Sequence, residues 1–135
     1  MGREEEKWLT SLIGDAKNIK YLGRISDEEL ISWYKRCKVF ALPSLLEGVG
    51  MVALEAAAFG AEVVLTNLGA PKEYWHGHAE LVNPYSVDEI GKAIVKCLHK
   101  DFSQSTMIDF IRDNYSLEAC SKKMVDALLL VESNS

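Results

Sequence analysis

The chain lacks any apolar run of the ~20 residues that a membrane-spanning helix needs, so no span is expected in its 135 residues. Cysteine is scarce. Cys37, Cys97 and Cys120 are odd in number and far apart, which argues against a disulfide framework or a zinc knuckle and fits a reducing, cytoplasmic setting. Positive charge is outweighed, with 15 Lys and Arg against 20 Asp and Glu. The resulting net charge of −5 argues against general affinity for nucleic acid or anionic membrane, which takes clustered basic residues, and leaves room only for a local basic pocket. The opening "MGREEEKWLT" is acidic, unlike a signal peptide, and Glu6 stands where a myristoylation signal needs Ser or Thr. No repeat, linker or low-complexity segment is found. What remains is ordinary globular composition, 48% hydrophobic and 26% charged, at a length that suits one domain.

Trp8, Leu9, Leu12 and Ile13 predict a helix over 4–14, and "NIKYLG" (18–23) reads as a short strand. Ser26 followed by Glu29 is a capping box, opening a helix whose inward stripe is Leu30, Trp33 and Tyr34. "KVFALP" (38–43) reads as a strand covered on both faces. An alanine-rich helix is expected from Val49 to Phe59, ended by Gly60. "EVVLTN" (62–67) and "AELVNP" (79–84) are two more apolar strands, with one helical turn at Pro71 between them. Ser86 and Glu89 open a helix with Ile90, Ala93, Ile94 and Leu98 inward. Helical stretches follow at 103–113 and 116–132, the second capped by Ser116, with Leu117, Met124, Leu128 and Val131 as its apolar contacts. Strands alternating with helices imply an α/β fold, a Rossmann-like parallel sheet with helices on both faces. Ligands of such sheets bind beyond the carboxyl ends of the strands.

One such end is "ALPSLLEGVGMVALEAAAFG" (41–60). Gly48 and Gly50 let the backbone turn and leave it bare, and the helix that follows starts with unpaired amides and partial positive charge. That is a seat for an anion such as phosphate, with the Ser44 hydroxyl beside it. Glu47 lies in the loop and Glu55 about one and a half turns into the helix, eight residues on. Carboxylates repel phosphate but accept hydrogen bonds from sugar hydroxyls, as the acid of a dinucleotide site does for ribose. A ligand with both features is a nucleotide or nucleotide-sugar. The plainer alternative is an N-terminal acid at Glu47, a solvated Glu55 and glycines that serve only the turn.

These residues carry a resemblance. Pro43, Ser44, Glu47, Gly48, Gly50 and Glu55, continued by Ala56, Gly60 and "EVVLTN", resemble the C-terminal, donor-nucleotide-binding domain of GT-B retaining glycosyltransferases, group 1 or family 4-like. The likeness runs in register over about residues 18–100. It implies that Glu47 contacts the donor sugar hydroxyls or the transferring region and that Glu55 holds the ribose hydroxyls. It also implies that amides near Gly50 and Met51 receive the distal phosphate. The donor is then a nucleoside-diphosphate sugar. No cofactor and no metal are implied, because the helix end and basic residues neutralise the diphosphate.

Parts of that pattern are missing. The first two strands of such a domain have no counterpart before Asn18, and with them go the Arg and Lys that clamp the diphosphate. The N-terminal acceptor domain is also absent. The chain is therefore expected to be a partial domain, 1–135, whose missing parts belong to a longer protein or to a partner subunit. Weak nucleotide affinity, self-association through open sheet edges and no turnover by the isolated chain are expected. A non-catalytic partner subunit and an epimerase-like GT-B enzyme are the alternatives. His76 and His78, two apart with no third ligand in register, are weak as a metal motif. Lys72 and Glu73 fall near the nucleotide in the resemblance, His99 suits a helix end, and Cys37, Cys97, Trp8 and Trp33 read as core. Trp75, in a loop, is open.

Overall fold

The computed structural model describes residues 3–75, 77–101 and 106–133. The chain divides into two compact units, Met1–Leu30 and Ile31–Ser135. In the first, helix α1 (Arg3–Ile13) starts with Glu4, Glu5 and Glu6, which suit the positive end of its dipole. Gly14 ends it at φ 51°. Trp8 is 63% exposed, so it is not the core residue its helical spacing predicts. Residues 18–23 form no strand. A strand is defined by its ladder, and among the described residues the sheet contains only three strands, all of them later in the chain. Helix α2 (Asp27–Tyr34) begins as predicted, with the Glu29 N–H donating to Ser26 Oγ at 3.2 Å.

The sheet lies in the second unit. Strands β1 (Val39–Leu42), β2 (Glu62–Thr66) and β3 (Glu80–Val82) are parallel, in the order β1-β2-β3. In β2 every residue is buried, and the two-residue period of a strand divides them between two layers. Val63 and Leu65 pack with Ala53, Leu54 and Ala57 of α3 (Met51–Ala58) and with Met107 of a later helix. Val64 packs on the opposite face with Val82 and with Ala93 and Cys97 of α5 (Val87–Leu98). The Rossmann-like α/β fold, helices on both faces, is thus the observed one.

β1 departs from its prediction as a strand covered on both faces. It is the edge of the sheet, and Ala41 is exposed. The Glu62 N–H donates to Lys38 O at 3.0 Å, so alternate backbone groups of β1 point into the sheet and those of Val39 and Ala41 point out of it. The Val39 carbonyl accepts from the thiol of Cys37 at 3.0 Å. Burial pushes that thiol's pKa up, as it does the fully buried Cys97.

Chain direction is set by caps the sequence spells out. Helix α3 stops at Gly60, φ 91°, whose N–H donates to Ala57 O at 2.8 Å while the Ala61 N–H reaches Ala56 O at 3.3 Å. The short helix α4 (Pro71–Tyr74) is the predicted turn. Ser86 caps α5 by accepting from the Glu89 N–H at 3.2 Å. Its inward face is Ile90, Ala93, Ile94 and Cys97, and Leu98 is turned 49% to solvent, contrary to its predicted inward place. Helices α6 (Met107–Tyr115) and α7 (Leu117–Ser133) follow, with Ser116 Oγ accepting from the Ala119 N–H. The start predicted at 103 lies outside the described residues. The apolar contacts predicted for α7 are not made: Leu117, Met124 and Leu128 are 86%, 67% and 61% exposed. The side chain of Val131 lies outside the described residues.

Candidate functional site

The loops that leave β1 and β2 run side by side. Glu47 forms a parallel bridge with Gly69, and its carbonyl accepts from the Ala70 N–H at 3.2 Å. Gly69 is required there on two counts. Its φ is +81°, and a Cβ would fall on the Glu47 carbonyl oxygen. A second brace comes from Trp75, the largest fully buried side chain, whose Nε1 donates to Val49 O at 2.8 Å. Trp75 is therefore core, and it fixes the backbone one residue before the α3 cap.

That cap is Gly50, buried and left-handed at φ 77°, ψ 58°. Gly50 serves the turn; Gly48 does not, since its φ is not positive and a Cβ on it would meet open space. The Gly50 carbonyl accepts from Ala53 and Leu54, which starts α3. The N–H groups of Met51 and Val52 come before the first helical hydrogen bond, and no acceptor for them stands among the described residues. The first turn of α3 carries no acid of its own. Its positive end is thus open to an external anion.

Glu47 is fixed through both oxygens. Ser44 Oγ donates to Oε2 at 3.1 Å and the Gly48 N–H to Oε1 at 3.1 Å. Glu55 is held elsewhere: Tyr34 of α2 donates its phenol proton to Oε2 at 3.2 Å. The structure therefore gathers Ser44, Glu47 and Gly48 into one cluster beside Gly50. It ties Glu55, on the same helix, to a different neighbour. Met51 is 65% exposed, Glu55 is exposed, and Lys72 and Glu73 are exposed on α4. His76 lies outside the described residues, and His78 stacks on Phe110 with centroids 3.8 Å apart.

At the opposite, amino end of the strands lies a 310 Å³ cavity lined by Glu62, His78, Lys100 and Asp101 among others. Lys100 pairs there with the buried Glu62 at 2.6 Å. Partial burial works to lower the Lys100 pKa, but the bond to Glu62 and its charge outweigh this and hold it raised. The pair consumes the charge of both groups, and neither faces the glycine turn.

The profile of the glycosyl transferases group 1 matches residues 1–114. The chain belongs to that family. The serotype-specific mannosyltransferase WbdA of Escherichia coli is 35% identical over 78 residues, 58% of this chain and 10% of the relative. The D-inositol 3-phosphate glycosyltransferase of Corynebacterium urealyticum is 41% identical over 71 residues, 50% of this chain and 17% of the relative. Sucrose-phosphate synthase from Thermosynechococcus elongatus superposes with a TM-score of 0.74 at 22% identity, over 98% of this chain and 35% of that one. The chain thus spans a small part of the relatives it matches. Its three-stranded parallel sheet shares the fold of that GT-B structure, without the strand expected at 18–23. No helix among the described residues is long and apolar enough to cross a membrane.

Sequence reasoning missed Tyr34 and Gly69 as parts of the site. Tyr34 stands on the predicted inward stripe of α2, but its partner is 21 residues away and nothing local announces the pair. Gly69 carries a readable signal, a glycine two residues before a proline in a loop, but its close approach to Glu47 is tertiary.

Proposed function

We propose that this chain is the donor-binding part of a retaining glycosyltransferase, which transfers a hexose from a nucleoside-diphosphate sugar to an acceptor held by a domain outside the chain. One observation carries the reading. A left-handed Gly50 opens α3 with the Met51 and Val52 amides free of described acceptors, between Glu47 in the loop and Glu55 on the helix. The amides near Gly50 and Met51 receive the distal phosphate, where the helix dipole adds attraction. Glu55 accepts from the ribose hydroxyls. Glu47, oriented by Ser44 and Gly48, addresses the donor sugar where charge develops as the leaving diphosphate departs. Ser44 is then a contact of the same ledge.

The match to a mannosyltransferase supports a hexose donor. Free thiols at Cys37, Cys97 and Cys120 fit a cytoplasmic reaction. The loop from Pro43 to Gly50 holds no Arg or Lys to clamp a diphosphate, so binding by the chain alone is weak, and turnover needs the acceptor domain.

Substitution in the intact assembly tests this. Glu47→Ala is expected to abolish transfer with the fold retained, and Glu55→Ala to raise the donor KM. Unchanged activity in both variants would leave a non-catalytic partner subunit as the better description.

A further inference from the structure

One polar atom sits in the aromatic cluster beneath α3. Tyr34 is 5% exposed. Its ring stacks with Phe59 at 6.2 Å and meets Phe40 edge-on at 6.1 Å. Rings from α2, β1 and the end of α3 thus leave the phenol little freedom. Its hydroxyl points at Glu55, whose side chain is otherwise on the solvent side of α3. An ionised carboxylate offers about four acceptor positions. The phenol takes one, and no other described group is bonded to Glu55. Burial first, then the bond to Glu55 and its charge, push the Tyr34 pKa up to about 12, so the phenol stays a donor at ordinary pH.

An exposed glutamate on a helix samples several rotamers, and binding through it loses that freedom. A donor locked by three rings removes the loss beforehand, which is preorganisation of a binding group by its supporting shell. We propose that Tyr34 is a positioning residue that fixes Glu55 so that its remaining acceptor positions meet the vicinal hydroxyls of a nucleotide ribose. The inference rests on the reading of Glu55 given above and adds the group that makes that acid selective. Tyr34 touches no ligand. It acts through the carboxylate.

The test is a comparison of ligands in two variants of the full 135-residue chain. GDP, UDP and their 2′,3′-dideoxy forms are titrated and followed by NMR, which reads weak binding. The wild type is expected to prefer ribose by about tenfold, the scale of one hydrogen bond to a charged acceptor. Tyr34→Phe keeps the ring packing and removes only the hydroxyl. It is expected to cut the preference to about threefold while affinity for the dideoxy forms stays the same. A merely structural tyrosine would shift both ligands alike. A full ribose preference in Tyr34→Phe overturns the proposal.

Glu55→Ala separates the two levels. If it abolishes the preference and Tyr34→Phe does not, the proposal falls and the ribose role of Glu55 stands. If Glu55→Ala leaves the preference intact, or the wild type shows none, both fall. Should Tyr34→Phe fail to fold, the wild type labelled with fluorotyrosine carries the test. Its Tyr34 resonance is expected to move with GDP or UDP and to stay nearly still with the dideoxy forms, and equal movement overturns the proposal.

Discussion

The indole N–H of Trp75 donates to the carbonyl of Val49 at 2.8 Å, across 26 residues of sequence. A side chain in the loop after β2 thereby holds the backbone of the loop after β1, next to the glycine on which α3 starts.

Trp75→Phe should therefore disturb more than packing. The ring volume shrinks in a site with no exposure, and the Val49 carbonyl loses its partner. A buried unpaired carbonyl and a small cavity together cost about 2–4 kcal/mol. Urea denaturation checks the stability loss. Amide shifts of Gly50 and Met51 in the folded variant check that the α3 start has moved.

Gly69→Ala should be the most damaging single-methyl change in the candidate site. The left-handed backbone alone costs ~1–2 kcal/mol for a residue with a Cβ, and the Glu47 carbonyl blocks the added carbon. A total near ~3 kcal/mol is expected in thermal unfolding. Gly48→Ala, facing open space, is the control and should change stability by less than ~1 kcal/mol.

The Glu62–Lys100 pair predicts an asymmetric pair of losses. Glu62 is nearly buried and Lys100 is 40% exposed at its side chain. Lys100→Met strands a buried carboxylate and should cost about 1–3 kcal/mol, less than a wholly buried pair because solvent screens Lys100. The double change Glu62→Leu with Lys100→Met should recover most of that in chemical denaturation. A double variant no better than the single one would refute the account of a stranded charge.

The Tyr34 pKa gives a pH dependence with a defined sign. Its folded value is raised to about 12, against ~10 in an unfolded chain. The fold favours the protonated phenol, so the contribution is whole below pH ~10 and is lost as pH rises towards the folded value. Stability of the wild type should fall more steeply than that of Tyr34→Phe across that interval, as read by denaturant melts. Phenolate absorbance should show one fewer late-titrating tyrosine in the variant, since burial raises Tyr115 in both proteins.

The open edge of β1 predicts association of this chain with itself. The backbone groups of Ala41 point away from β2, so Ala41→Pro removes an outward donor without touching the ladder. Sedimentation of the wild type should depend on concentration, and that of Ala41→Pro much less so.

Much of the fold is written locally. Ser26, Ser86 and Ser116 each bond an N–H three residues on, and Gly60 ends its helix by the expected pair of bonds. The apolar run Val63, Val64 and Leu65 inside β2 also announces a buried strand. Legibility fails where structure depends on a partner. Residues 18–23 have strand-like composition but no ladder, and α7 has helical apolar spacing but exposed leucines. For the candidate site the order Ser44, Glu47, Gly50, Glu55 is readable because turn, cap and acids are close in sequence. The ties of Glu55 to Tyr34 and of Glu47 to Gly69 are tertiary, and no spacing rule encodes them.

The pairing of Glu47 with Gly69 has a consequence for engineering. Neither stretch is an independent cassette: each is cut to the shape of its neighbour, down to a missing methyl. Chimeras with a relative should transplant 44–50 and 67–70 together, since any residue with a Cβ at position 69 would meet the Glu47 carbonyl.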